Sequence, residues 1–105
     1  MIQVKVSLEN GEYKSMRVTG HAGSGDPGFD LVCAGVSSIM TGALNGFDQL
    51  DNSVKLNLTQ EPLVSIDIIQ SNELNQKLFE FVLIQLKTIE TSYQEFIEIN
   101  EKEVA

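Results

Sequence analysis

The sequence begins with MIQVKVSLENGEYKSMRV, residues 1–18, and the pattern of this stretch predicts a β-hairpin. Apolar residues at positions 2, 4, 6 and 8 alternate with polar ones, which is the period of a strand with one buried face. Asn10 and Gly11 follow, and both residue types tolerate the positive φ angles of a tight turn. A second strand then runs to Val18, with Met16 and Val18 directed inward.

The same alternation returns in the second half of the chain. Apolar residues alternate over 54–58 and again over 64–68, and the turn TQEP separates the two runs, which predicts a second hairpin. Between the hairpins, a helix is predicted to begin near Asp30, whose carboxylate would cap its first turn. The apolar stripe of this helix is Val32, Val36, Ile39, Met40, Ala43, Phe47 and Leu50. A second helix is predicted over 71–93, with a main apolar face of Leu74, Leu78, Phe81, Val82 and Ile89.

These elements predict an α+β fold of order ββαββα, an antiparallel four-stranded sheet with two helices packed on one face. A chain of 105 residues is about one domain, so residues 1–105 are expected to form a single unit. The tail QEFIEINEKEVA, residues 94–105, either adds a short edge strand through Phe96, Ile97 and Ile99 or frays. Further apolar residues on the second helix favour a homodimer, with deep burial of the helix as the alternative; these residues are Phe79, Leu83, Ile84 and Leu86.

Composition limits the function classes. Fifteen acidic residues against seven basic ones give a net charge of −8, which repels nucleic acid and anionic membranes and attracts basic partners, although acidity also serves solubility alone. No apolar run approaches the roughly 20 residues that span a bilayer, and the chain has one cysteine. We therefore expect a cytoplasmic protein that binds neither nucleic acid nor membrane.

The segment TGHAGSGDPGFDLVCAGVSS, residues 19–38, holds the single histidine and the single cysteine of the chain. In a helix capped by Asp30, Cys33 is the third residue, where unpaired N–H groups and the helix dipole stabilise a thiolate. The glycine-rich loop can fold His21 back against the sulfur, which gives a Cys–His dyad with the N–H groups of the helix as an oxyanion hole. A buried cysteine that only packs is the alternative.

Two other kinds of site fit this segment poorly. GSGDPG, residues 23–28, matches the dinucleotide pattern G-x-G-x-x-G, but the strand before it belongs to a hairpin, and Asp26 would add negative charge to a phosphate cradle. His21, Asp26, Asp30 and Cys33 lack the paired spacing of metal ligands. We therefore expect no metal and no cofactor.

The segment GHAGSGDPGFDLVCAGVSS, residues 20–38, resembles the motif of the bacterial ribosomal-processing cysteine proteases, the Prp family. In that family, Gly-His-Ala at the end of a strand is followed, after a variable loop, by Asp-x-Val-Cys-Ala-x-x-Ser on a helix. The resemblance implies that His21 and Cys33 are the catalytic dyad and that Gly20, Asp30 and Ser37 bind substrate. The matching residues are Gly20, His21, Ala22, Asp30, Val32, Cys33, Ala34 and Ser37.

The resemblance also implies a function. Members of this family are dimers that remove the N-terminal extension of a large-subunit ribosomal protein precursor, cutting beside aromatic residues in a basic peptide. A basic substrate agrees with the acidic charge of this chain. Two other functions stay open at this point: a non-catalytic module that binds ribosomal or other basic proteins, and a thiol enzyme that acts on a small molecule. Slow alkylation of Cys33 at neutral pH would favour the binding module.

Overall fold

The structure is a computed structural model that describes residues 1–20, 27–59 and 63–104, with the backbone alone described over 27–30. The described residues form two helices and one five-stranded sheet. The strands lie side by side in the order β3, β4, β2, β1, β5. In chain order the elements are β1 (Ile2–Glu9), β2 (Glu12–Thr19), α1 (Pro27–Leu50), β3 (Val54–Leu58), β4 (Leu63–Ile68), α2 (Glu73–Ser92) and β5 (Ile97–Glu103).

The prediction of an antiparallel four-stranded sheet is wrong, because the tail forms a fifth strand and the sheet is mixed. Strand β5 pairs in parallel with β1, from Ile2 opposite Ile97 to Leu8 opposite Glu103. The direction follows from α2, which carries the chain from the end of β4 back to the end of the sheet where β1 begins. Burial of Ile97 against the core fixes the strand in place.

The first hairpin has the predicted turn, since Asn10 and Gly11 take positive φ angles of 54° and 80°. The pairing of β1 with β2 shifts between Ser7 and Leu8. Beside this irregularity the Gln76 side chain of α2 bonds to the backbone of Tyr13: the Tyr13 N–H donates to Gln76 Oε1 over 2.9 Å, and Gln76 Nε2 donates to the Tyr13 carbonyl over 2.8 Å. These two bonds satisfy both backbone polar groups of Tyr13 and attach α2 to the sheet.

Helix α1 begins at Pro27, three residues before the predicted start. Proline suits the first position of a helix because its fixed φ angle is helical and it has no N–H to leave unpaired. Asp30 therefore lies inside the helix, and the prediction that it caps the helix is wrong. The helix thus starts within the glycine-rich segment, which the sequence pattern does not predict.

Helix α2 begins at Glu73 and is capped by Asn72. The Asn75 N–H donates to Asn72 Oδ1 over 2.7 Å, and the Asn72 N–H donates to Asn75 Oδ1 over 3.0 Å, so two backbone donors at the helix start are satisfied reciprocally. Asn75 is fully buried, and its amide also donates to the carbonyl of Gln70 over 2.8 Å. Among the described residues, no helix is long and apolar enough to cross a membrane.

One apolar core lies between the helices and the sheet. The face of α2 that contributes to this core differs from the predicted one. Phe79, Leu83 and Leu86 are buried. Leu74 and Phe81, which are predicted to lie on the main apolar face, are 47% and 63% exposed. The core consists of Ile2, Val4, Val6, Met16, Val18, Val32, Val36, Met40, Ala43, Phe47, Ile66, Ile68, Phe79, Val82, Leu83, Leu86 and Ile97.

Candidate active site

A cavity of about 270 Å³ lies between α1 and one end of the sheet, and Cys33 lines it. The start of β1, the end of β2, the end of β3 and the start of β4 meet at this end of the sheet, because neighbouring strands run antiparallel. The described lining residues are Ile2, Val18, Thr19, Gly20, Cys33, Val36, Ser37, Met40, Thr41, Leu44, Leu58, Thr59 and Val64.

Helix α1 supplies one wall of the cavity. Cys33, Ser37 and Thr41 are four residues apart, so their side chains lie on one face of the helix, one turn above another. Cys33 is half-buried, while Ser37 and Thr41 are exposed. This face lines the cavity together with residues of β3 and β4.

Gly20 forms the wall opposite the helix, at the end of β2. Its φ angle is +146°, and a Cβ atom built on it would lie 2.7 Å from the Ile2 Cα and 3.0 Å from the Met1 carbonyl oxygen. Only glycine fits a backbone that approaches its neighbour this closely in this conformation. Gly20 thus has a structural role, because it lets β2 end against the start of β1.

The position of Cys33 corrects one part of the predicted chemistry. Counted from Pro27, Cys33 is the seventh residue of α1, so its N–H belongs to the bonded part of the helix and not to the unpaired first turn. The prediction that helix N–H groups beside Cys33 stabilise the thiolate and form an oxyanion hole is therefore wrong. The helix dipole also acts mainly within the first turn, which lies at Pro27 to Asp30.

The structure brings three of the five predicted site residues to one cavity: Gly20, Cys33 and Ser37. His21 and Ala22 lie outside the described residues, as do positions 23–26 of the glycine-rich loop. The backbone of Asp30 lies in the first turn of α1, and the structure does not describe its side chain. The roles of all five residues stay predictions.

Several cavity residues are not among the predicted site residues. Thr41 and Leu44 follow Cys33 at helical spacing on the same face, and this periodicity was a usable signal. Leu58 and Val64 reach the cavity only because β3 and β4 lie beyond β2 in the sheet, an order that a pattern of alternating residues does not contain.

The cavity combines apolar walls with a polar rim. Val18, Val36, Met40 and Leu44 supply apolar surface, and hydroxyl groups come from residues such as Ser37, Thr41, Thr19 and Thr59. The described lining residues carry no charged side chain. A site of this kind accommodates a large apolar group and offers hydrogen bonds to polar atoms beside it.

Known proteins resemble this chain in sequence and in fold. The family model of the cysteine protease Prp matches residues 1–98. The ribosomal processing cysteine protease Prp of Staphylococcus aureus (strain Mu50) is 31% identical over 108 residues, covering 97% of this chain and 100% of the relative. The crystal structure of the ribosomal processing protease Prp from S. aureus with a substrate peptide superposes with a TM-score of 0.88 at 30% identity, covering 97% of this chain and 100% of that one.

A second crystal structure of the S. aureus protease contains a covalently linked product peptide and superposes with a TM-score of 0.86 at 30% identity, with the same coverage. The similarity in sequence and in fold thus extends over nearly the whole of both chains. The chain belongs to the cysteine protease Prp family.

Proposed function

We propose that this cysteine protease is a cytoplasmic endopeptidase that removes the N-terminal extension of a large-subunit ribosomal protein precursor, with Cys33 as the nucleophile and His21 as its general base. One observation carries the proposal: Cys33 lines an open cavity together with Gly20 and Ser37, two further residues of the same sequence motif. Gly20 directly precedes His21 in the sequence, which supports the pairing of this histidine with the thiol.

The chemistry follows from the two residue types. The imidazole of His21 takes the proton of the Cys33 thiol, and the thiolate attacks the carbonyl carbon of the scissile peptide bond. The C–N bond then breaks, the imidazolium protonates the leaving amine, and the N-terminal part of the substrate is held as a thioester on Cys33. Water, deprotonated by the imidazole, attacks the thioester and releases the acid and the thiol. The S. aureus relative with a covalently linked product peptide supports a covalent route.

The cavity supports a substrate with a large apolar side chain beside the scissile bond. Its walls of Val36, Met40 and Leu44 would remove such a side chain from water, and a fully buried Leu or Phe side chain is stabilised by about 1.5–3 kcal/mol. The S. aureus relatives with substrate and product peptides support a peptide as the ligand. The net charge of −8 supports a basic one.

We also propose that the enzyme acts as a homodimer. A second cavity, of about 340 Å³, lies between α1 and α2, and Phe81 lines it while 63% exposed. On α1 this cavity is bordered by Gly42 and Gly46, where an added Cβ atom would have no neighbour within 4 Å. Together with the exposed Ile84, this apolar surface is of the kind that monomers rarely leave open to water.

A peptide panel tests the proposed activity. Synthetic N-terminal segments of large-subunit ribosomal protein precursors are incubated with the protein, and the products are identified by mass spectrometry. We expect one cut in a single precursor, directly after or before a large apolar residue, and no cut in segments whose apolar residue at that position is replaced by aspartate. Uncut peptides throughout the panel would contradict the proposal.

A further inference from the structure

The cavity that contains Cys33 reaches one edge of the sheet. Strand β3 is the terminal strand on that side, and Leu58, its last residue, lines the cavity while 68% exposed. Leu58 lies opposite Val64 of β4, which lines the same cavity, so both side chains lie on the face of the sheet that carries α1. The edge of β3 is therefore continuous with the site of the proposed reaction.

The hydrogen bonds of the hairpin fix which backbone groups of β3 point outward. The Thr59 N–H donates to the Leu63 carbonyl over 3.2 Å, and the Ile69 N–H donates to the Ser53 carbonyl over 2.9 Å. In an antiparallel ladder, bonded pairs alternate with pairs that exchange no bond. With the observed register, residues 55 and 57 bond to β4, and the N–H and C=O groups of Val54, Leu56 and Leu58 point away from it.

The opposite edge of the sheet, β5, is less suited to accept a strand. The Ile99 N–H already donates to Glu90 Oε2 of α2 over 2.7 Å. Exposed charges also follow one another there, at Glu101, Lys102 and Glu103, a composition that keeps edge strands from pairing. On β3 the sequence VKLNL contains one charge, at Lys55, and ends in the exposed Leu58.

We propose that the substrate peptide binds as an extended strand beside β3, paired with the outward N–H and C=O groups of Val54, Leu56 and Leu58. Alternate side chains of such a strand lie on the face of the sheet that carries α1, as Leu58 does, so one of them enters the cavity beside Cys33. Main-chain hydrogen bonds to β3 then bind the peptide whatever its sequence, and the cavity selects the peptide side chain that enters it. This inference rests on the proposed peptidase function and adds the mode of substrate binding.

An amide-to-ester scan of the cleaved peptide tests the pairing. Each ester removes one N–H donor and leaves the side chains unchanged, and we measure kcat/KM for every position. A strand beside β3 donates from every second residue, so we expect losses of about tenfold at alternate positions and little change between them. Equal losses of kcat/KM for esters at adjacent positions, or no loss for any ester outside the scissile bond, would overturn the inference.

Two variants of one residue give the complementary test on the enzyme. Leu58→Ala removes the side chain and keeps the N–H, whereas Leu58→Pro removes both at an edge position that tolerates proline. We expect kcat/KM of Leu58→Pro to be about tenfold below that of Leu58→Ala, with equal thermal midpoints for the two variants. Equal kcat/KM values would overturn the inference.

Hydrogen exchange of the Cys33→Ala protein covers the case in which the proline variant is misfolded. With the uncleaved peptide bound, the amides of Leu56 and Leu58 should gain protection, while Asn57, already bonded to β4, should change little. A peptide that is cut by the wild type and bound by Cys33→Ala without protection of Leu56 and Leu58 would refute the pairing alone. A peptide that is neither cut nor bound would refute the proposed function and the pairing with it.

Discussion

At the scale of single residues, the motif GHAGSGDPGFDLVCAGVSS was informative about which residues share a site, and less so about their local surroundings. Gly20, Cys33 and Ser37 do line one cavity. The sequence predicts a helix start near Asp30, whereas the helix begins at Pro27, an equally good first residue. The prediction for the surroundings of Cys33 is wrong for this reason. An error of three residues moves a side chain from the unpaired first turn into the bonded body of a helix.

The conformation of Gly20 gives a test at this scale. Gly20→Ala should destabilise the protein by about 1–3 kcal/mol, because alanine at φ +146° is strained and its Cβ would meet backbone atoms of Met1 and Ile2. Urea unfolding measures the change. Gly35→Ala is the matched control, since its Cβ would meet only the Ile89 Cδ1 at an ordinary 3.4 Å and a helix gains from alanine. A Gly20→Ala protein as stable as the wild type would show that the end of β2 relaxes freely.

At the scale of elements, alternation and helical spacing predict the first four strands and both helices, whereas the tail predicts either a fifth strand or a frayed end. The residues Phe96, Ile97 and Ile99 carry a weak signal, and it is the pairing with β1 that makes them a strand. The predicted face of α2 is also wrong in part, because spacing alone does not tell which of two adjoining apolar stripes meets the sheet. Tertiary contacts decide between Phe79, which is buried, and Phe81, which is exposed.

The start of α2 provides the test for elements. Asn72 caps the helix and also donates from its side chain to Asp51 Oδ2 over 2.8 Å. Asn72→Ala should lower the free energy of unfolding at neutral pH by about 1 kcal/mol, the usual cost of a lost cap. Asn45→Ala, an exposed helical change, should stay within about 0.5 kcal/mol of the wild type. Equal stability of the two variants would contradict the capping role.

Asp51 adds a dependence on pH at the same junction. The hydrogen bond from the Asn72 side chain, and next the one from the Ser53 backbone, lower the pKa of the Asp51 carboxyl below its usual value. A lowered pKa in the folded state stabilises the fold above the unfolded pKa, and that contribution disappears as pH falls through the folded pKa. In urea unfolding the difference between wild type and Asn72→Ala should therefore narrow on acidification below the usual pKa of an aspartate. If the difference in unfolding free energy between the two proteins does not change with pH, the whole effect of Asn72→Ala comes from the lost helix cap and none from Asp51.

At the scale of the whole molecule, the net charge of −8 contrasts with the uncharged described lining of the Cys33 cavity, which suggests different roles for the two in substrate binding. Under the proposed function, we expect the charge to attract a basic substrate before it reaches the site, and we expect the cavity to select the substrate by shape and apolar surface. Increasing ionic strength from about 0.01 M to about 1 M shortens the Debye length from about 30 Å to about 3 Å. We expect kcat/KM for a basic peptide to fall severalfold over this range, with a smaller change in kcat. For a neutral analogue of the peptide, kcat/KM should not change with ionic strength. If kcat/KM is independent of ionic strength for the basic peptide as well, the net charge serves solubility alone.

Oligomeric state is the second property at this scale. Phe81→Glu places a charge in the groove between α1 and α2 and should convert the proposed dimer into a monomer in sedimentation velocity experiments. Ile69→Glu is the matched control, because Ile69 is 65% exposed and lies outside the described lining of this groove. A monomeric wild type, or a dimer that survives Phe81→Glu, would contradict the homodimer.

The central claim is that Cys33, with His21, cleaves a ribosomal protein precursor in the cavity beside α1. Its most direct test is the rate of precursor cleavage by the wild type, Cys33→Ala, His21→Ala and the double variant, each shown to be folded by circular dichroism. We predict cleavage by the wild type, a loss of at least about a hundredfold in each single variant, and no further loss in the double variant, since the two residues act as one unit. Cleavage by Cys33→Ala at the rate of the wild type would contradict the claim.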